Sequence, residues 1–414
     1  MIRRPFYGWI IAGASMLAWG ISIGPRQSFS VFLLAFLEEF GWGRSATSAA
    51  FSLHMTFYAL GGLVLGVVVD RMGPTRVIAC STVLWAAALM LTGGVSSLWQ
   101  LYLVFGMLGG VGTGGLAYVA TNALISRWFK RYRGIATAIC HAGVPLGTAI
   151  AGPLAQSGIT SLGWRWTHVL FGATVAATAL PLVVIFFRDD PKKMGLEPDG
   201  IAARDTGVTG APPGAASTAD FTDPGFPRGY WAMFVANIFR GMTMYALMVH
   251  QVAYLVDVGF GKMAAASYVS VISLVAVPGG LAAGAISDRI GRPKTYAMVA
   301  LLYVIGFVSL VLVREPGTTA LLWTYILASG LATGGVGPVF SAFLTDRFQW
   351  PRTGFLLGLQ NIGFGVGTTI GPVLAGAMFD WLRSYTLVFL LMAFSMVLSS
   401  IIVSATAHRV AQRG

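Results

Sequence analysis

Apolar residues along this chain come in long unbroken blocks, not in the narrow stripe of a soluble amphipathic helix. Twelve blocks stand out, at 8–37, 45–69, 75–95, 98–126, 134–158, 166–187, 230–255, 266–287, 294–313, 319–345, 354–379 and 384–406. Each has roughly 20 residues or more, enough at ~1.5 Å per residue to cross a ~30 Å hydrocarbon core. The pattern predicts an all-α membrane protein with twelve transmembrane helices. The opening MIRRPFYGWII shows no small-residue cleavage site behind a short apolar region, so it reads as the start of a retained helix.

The least hydrophobic stretch, 188–229, begins RDDPKKMGLEPDG and continues rich in Gly, Ala, Pro and Thr. Such a composition cannot bury a core, which predicts a mobile linker between a six-helix bundle at 1–187 and another at 230–414. The two bundles repeat each other. FLEEFGWGRSATSAA (36–50) aligns without gaps on YLVDVGFGKMAAASY (254–268), and GVVVDRMGPTR (66–76) on GAISDRIGRPK (284–294), both at an offset of 218. GVPLG (143–147) answers GFGVG (363–367), and Gly152–Pro153 answers Gly371–Pro372. Two pseudo-symmetric six-helix bundles, parallel in orientation, suit a transporter that rocks its halves about a central site.

Composition agrees: 56% of the 414 residues are hydrophobic and only 10% are charged. The net charge of +12 could suggest a nucleic-acid partner, but its placement points elsewhere. With the central linker set aside, fifteen Lys and Arg lie on one set of alternate helix ends and five on the other. That is the positive-inside bias of a multi-pass protein of the cell (inner or plasma) membrane, with both termini cytoplasmic. Its partner is then the lipid bilayer and no nucleic acid is involved. Cys80 and Cys140 both fall inside predicted helices, so neither a disulfide framework nor a metal site is expected.

The G-x-x-x-D-R-x-G pattern between the second and third helices of each half resembles the signature of the major facilitator superfamily, and the likeness covers essentially the whole chain. More narrowly, YGW (7–9), PRQSFSVF (25–32), RWFKRYRG (127–134), AGVPLG (142–147) and PKKMGLEPDG (191–200) resemble the monocarboxylate transporter and oxalate/formate antiporter families. The resemblance implies a major facilitator fold, no cofactor, and movement of small carboxylates with a proton or by exchange. It also implies a monomer. The chain departs from those families in helix eight, where they carry an acid and an arginine four residues apart. Here Ser273 and Val277 stand at those positions, and Ile362 is nearest to the oxalate exchangers' helix-eleven lysine.

All fifteen Asp and Glu sit at helix ends or in loops, whereas Arg26 and Arg240 lie deep in the first and seventh helices. An arginine at mid-membrane costs roughly 2.5–3.5 kcal/mol on insertion scales and needs a watery cavity and a partner. A planar guanidinium grips a carboxylate through two parallel hydrogen bonds, so both arginines are candidate substrate contacts. The resemblance adds that monocarboxylate transporters place a functional lysine where Arg26 stands. The uncharged candidates are Tyr118 and Asn122, one turn apart on helix four, and Gln360 and Asn361 on helix eleven. Without a buried acid, a proton must ride on histidine, water or substrate, which makes His250, His141 and His54 the proton-coupling candidates. His141 precedes AGVPLG, and His250 lies in a pattern that similar bacterial transporters share; both are also substrate-site candidates. Asp70–Arg71 and Asp288–Arg289 end the second helix of each half and are expected to gate the conformational change.

These observations describe a secondary-active transporter of small organic anions, monocarboxylates foremost, with proton symport favoured over exchange. Proton-driven efflux is the rival within transport, and a non-transporting membrane sensor the rival outside it. No phosphate loop, metal-ligand spacing or nucleophile setting points to an enzyme.

Overall fold

A computed structural model describes residues 6–116, 118–200, 229–348 and 353–411. The described residues are almost entirely helical. The first span is a pair, α1 (Tyr7–Gln27) and α2 (Phe29–Phe40), meeting at Ser28. Then come α3 (Arg44–Met72), α4 (Pro74–Thr92), α5 (Leu98–Leu101), α6 (Gly109–Gly115) and α7 (Tyr118–Trp128). α8 (Arg133–Thr174) and α9 (Leu180–Phe186) complete the first half. The second half holds α10 (Tyr230–Asp257), α11 (Lys262–Ile290), α12 (Arg292–Leu312), α13 (Thr319–Arg347), α14 (Thr353–Leu382) and α15 (Thr386–Ala411).

Eleven helical stretches among the described residues are long and apolar enough to cross a membrane. The longest, Arg133–Phe186, accounts for two of the twelve predicted spans. Its break is Gly163, whose φ of 80° and ψ of 159° leave the helix. That positive φ is easy only for glycine, so the chain turns there without a loop. The protein is therefore a twelve-span bundle in two halves. We call the face at which α1 begins and α15 ends the near face and the opposite one the far face.

Small residues fix how closely the helices pack. α1 meets α8 backbone to backbone: a Cβ at Gly147 would collide with the Gly20 carbonyl, and one at Gly143 with the Met16 carbonyl. In a bilayer lipid is as apolar as leucine, so such close approach, and not hydrophobic burial, supplies much of the attraction between helices. The AGVPLG stretch is thus an α1-packing surface.

The linker differs from its expectation in part. Residues 188–200 are folded onto the first half, with Trp128 Nε1 donating to the Arg188 carbonyl at 2.6 Å. Their aspartates cap backbone amides, which holds a segment without a hydrophobic core of its own. Residues 201–228 lie outside the described residues.

Replacing Gly147 by Leu is expected to lower stability by about 1–3 kcal/mol, the range for overpacking. The thermal midpoint of detergent-purified protein reports it; an unchanged midpoint would show that α1 and α8 can separate freely.

Candidate functional site

Arg26 sits two residues before the α1–α2 junction at Ser28, directly after Pro25. Its side chain is sealed in the protein, with 5% of the residue exposed. Its Nε and Nη1 have no hydrogen-bond partner. The guanidinium carbon lies 5.0 Å from the centroid of the Tyr58 ring on α3. A desolvated cation–π contact is worth about 2 kcal/mol. Each buried donor left unpaired costs about 1–3 kcal/mol. Tyr58 alone does not satisfy this arginine.

Arg240, on α10, belongs to a polar chain in the second half. Its Nε donates to Asn237 Oδ1 at 2.8 Å, and Asn237 Nδ2 donates to the Gln360 carbonyl at 2.7 Å. The guanidinium is stacked against Phe364 at 4.3 Å and Phe340 at 5.1 Å. The Gln360 side chain is buried. Aromatic rings connect this cluster to the other half. Phe364 contacts Tyr245 at 6.0 Å, and Tyr245 contacts Phe51 of α3 at 5.9 Å. Phe51 and Tyr58 are two turns apart and so share one face of α3. The two arginines thus stand on opposite halves, at either end of an aromatic wall that crosses between them.

Other sequence candidates are held elsewhere. His54 is fully buried and bonded through both ring nitrogens within the first half, to the Phe105 carbonyl and to Thr113 Oγ1, each at 2.8 Å. His141 stacks on Trp19 at 4.9 Å with 15° between the rings. Asn122 Oδ1 is buried without a partner. Asn361 is exposed, as a residue about 100° around the helix from Gln360 must be. The side chains of Tyr118 and Asp70 lie outside the described residues. Arg71 and Arg289 are exposed, and Asp288 pairs with Arg292.

His250 occupies a different place, between the halves near the far face. Its Nε2 lies 2.9 Å from the Pro372 carbonyl and 3.2 Å from Ser48 Oγ of the first half, and its Nδ1 lies 2.8 Å from the Tyr385 hydroxyl. A carbonyl only accepts, so Nε2 carries the proton and Nδ1 accepts from Tyr385. Tyr385 accepts in turn from Arg44 Nη1 at 2.8 Å. Burial pushes the Tyr385 hydroxyl up from its ordinary value, so it keeps the proton it donates.

Above this histidine lies a latch that the sequence reading did not identify. Arg44 of α3 grips Asp257 of α10 through two bonds of 2.7 and 2.8 Å while its guanidinium stacks 3.8 Å from Phe379. Lys262 of α11 returns the favour to Glu38 of α2 at 2.6 Å. Asp380 of α14 accepts from the Arg44 amide at 3.0 Å, the Ser45 amide at 2.9 Å and the Ser45 hydroxyl at 2.5 Å. The N-cap of α3 is Gly43, which has no side chain to offer, so a carboxylate from the other half caps the helix. Contact between α3 and α14 runs inward through Thr56 and Thr369 at 2.9 Å. The offset of 218 pairs the two latch bases, Arg44 with Lys262, but it pairs Asp257 with Glu39, which bonds Arg165 inside the first half, while the latch uses Glu38. Each half supplies a base at the start of its second span and an acid at the end of its first.

Charge-assisted bonds of this kind contribute about 1.5–3 kcal/mol. Arg44→Asp is therefore expected to open the far face, read as a longer distance between spin labels on α3 and α14. Adding Asp257→Arg should restore the short distance; failure of the swap to do so would remove the latch.

The sequence profile of the Major Facilitator Superfamily matches residues 8–348 and 233–411. Monocarboxylate transporter 3 of Rattus norvegicus is 26% identical over 407 residues, covering 97% of this chain and 80% of that protein. The probable sulfoacetate transporter SauU of Cupriavidus necator is 26% identical over 397 residues, covering 92% and 90%. Among solved structures, a bacterial homolog of the human lysosomal transporter Spinster, inward-facing and unoccupied, superposes with a TM-score of 0.76 at 16% identity, covering 98% of each chain.

Proposed function

Because the chain belongs to the Major Facilitator Superfamily, we propose that it is a secondary-active transporter of small organic anions, monocarboxylates foremost, working by alternating access as a proton symporter. The observation that carries this reading is Arg26, buried to 5% exposure with two nitrogens lacking partners. An anionic head that reaches Arg26 supplies the acceptors that the protein withholds. A carboxylate does so through two oxygens in the plane of the guanidinium. The names of two relatives, one a monocarboxylate and one a sulfoacetate transporter, support acids as the substrate class.

Arg26 replaces, in this reading, the helix-eight arginine that Val277 displaces. Arg240 faces the substrate from the second half, oriented by Asn237. In this reading, which the positive-inside bias supports, both termini are cytoplasmic, the far face is the outer face and the latch closes the outer side. A monoanion entering a negative-inside cell works against about 2.3 kcal/mol per 100 mV, which one accompanying proton removes. His250 is the site we assign to that proton, because its bonding partners come from both halves and part when the latch opens.

Arg26→Ala is expected to weaken acid binding about tenfold or more, the worth of one charge-assisted bond. Binding calorimetry with lactate and with its amide measures this; an unchanged preference for the acid would exclude Arg26 as the carboxylate's partner. Lactate uptake into liposomes should rise as the outside is made acidic. His250→Gln should flatten that dependence, and a wild-type profile in the variant would return His250 to a purely packing role.

A further inference from the structure

The stretch PKKMGLEPDG and the residues before it have no part in the substrate site or the latch, yet they are bonded to the first half at several points. After Trp128 fixes the Arg188 carbonyl, Asp189 turns toward the start of α4 and accepts from the Thr75 amide at 2.9 Å. Its carboxylate lies against Gly73, where a Cβ would collide with Asp189 Oδ2 and where φ is +85°. Gly73 closes the D-R-M-G stretch of the near-face gating loop. Asp190 then caps the short turn Pro191–Met194, Gly195 reverses the chain at φ +68°, and Leu196 packs on the core. Asp199, held at φ +61°, receives the successive amides of Lys130, Arg131 and Tyr132 at 2.9, 2.8 and 3.3 Å, just ahead of α8. One short segment thus caps the start of α4, binds the loop ahead of α8 and anchors the end of a third helix, α7.

The second half does the same job by other means. At the offset of 218, Pro74 corresponds to Arg292 and Trp128 to Asp346. Arg292 Nη1 bonds Asp288 and Ser287 at the end of α11, each at 2.5 Å, while its Nε bonds Asp346 near the end of α13 at 3.1 Å. A Cβ at Gly291, the counterpart of Gly73, would meet nothing. The second half therefore clamps its gating loop with a side chain of its own. The first half carries proline at that position and cannot.

We propose that residues 188–200 are the first half's substitute for the Arg292 clamp, and that Asp189 and Asp199 are positioning residues for the near-face gating loop. Asp189 holds the loop at Gly73 and Thr75; Asp199 ties the same segment to the loop before α8, so that both move as one body when the halves rock. The fixed loop holds exposed Arg71 in one register relative to the second half. Without the clamp the loop is free relative to α8, and the near face loses its defined closed position.

The test uses the full chain in liposomes, with Cys80→Ser and Cys140→Ala as background and spin labels at positions 76 and 133, whose native arginines are both exposed. In Asp189→Ala with Asp199→Ala the distance distribution between the labels should broaden, with the thermal midpoint preserved. Asp189→Asn, which keeps an acceptor oxygen, should broaden it less. With labels at 76 and 294, the balance of near-face open and closed states should shift about fivefold, the factor one helix cap is worth. In the wild-type chain, the amides of Thr75, Lys130 and Arg131 should exchange slowly with deuterium. Unchanged distances in the double variant, or a uniform loss of thermal stability with no shift in distances, would overturn the proposal. So would fast exchange at those three amides in the wild type, a measurement that does not depend on any variant folding.

Discussion

Arg26 carries a guanidinium into the first span and is sealed there over the Tyr58 ring, with two nitrogens that no protein atom satisfies. A membrane interior allows this only if something else completes the pairing. Among the described residues every Asp and Glu is placed at a helix end or in a loop, so none of those carboxylates is spared for the task. Much of the rest of the design follows from that partition. In the function proposed above the anion that Arg26 takes comes from outside the protein, and the carboxylates at the helix ends hold helices and halves together. The aromatic wall from Tyr58 and Phe51 to Tyr245 and Phe364 keeps the two arginines on separate halves while giving each a ring face to rest on.

The duplicated half explains why the latch is reciprocal, and the differences between the copies explain why it is not symmetric. Arg44 and Lys262 are equivalent by descent from one unit, and each reaches across to an acid of the other half. Arg44 is bidentate, stacked and 12% exposed, whereas the Lys262–Glu38 pair is 41% and 57% exposed and weakened by water and salt. Among the described residues α3 alone receives a carboxylate cap from across the interface, from the aspartate that ends the span of α14. On the near face the copies diverge again: arginine clamps one gating loop and the folded start of the linker clamps the other.

The spans, their number and their duplication were legible because the bilayer imposes a length and a polarity that composition alone reveals. The one disagreement is local: α8 to α9 reads as one helical stretch with a glycine break, which hydropathy cannot distinguish from two helices and a loop. Arg26 and Arg240 were legible for the same reason, as charges in the wrong solvent. The histidines were not. His54 and His250 sit in similar apolar surroundings in the sequence, and only tertiary partners separate a ring bonded inside one half from a ring bonded between two. The latch was hidden because charges at helix ends normally face water and carry no marker of a partner about 200 positions away. The clamp was hidden more deeply, since Asp189 and Asp199 bind backbone amides, which every residue except proline offers.

The energies of the latch decide what a substrate must accomplish. The half-buried Arg44–Asp257 pair contributes about 1.5–3 kcal/mol, the exposed Lys262–Glu38 pair at most about 1, and the Asp380 cap about 0.5–2. Together these amount to a few kcal/mol, and moving an equilibrium from 1:99 to 99:1 takes about 5.5 kcal/mol. The latch is therefore of a size that holds the far face shut and that differential ligand binding can oppose. A much stronger latch would trap the protein in one state, and a much weaker one would leave both faces open together. Asymmetry helps here, because the exposed pair can break first, and the buried pair then meets water from one side before it must separate. Opening in that order spreads the cost over two smaller barriers, which is what a carrier that must return after every cycle requires.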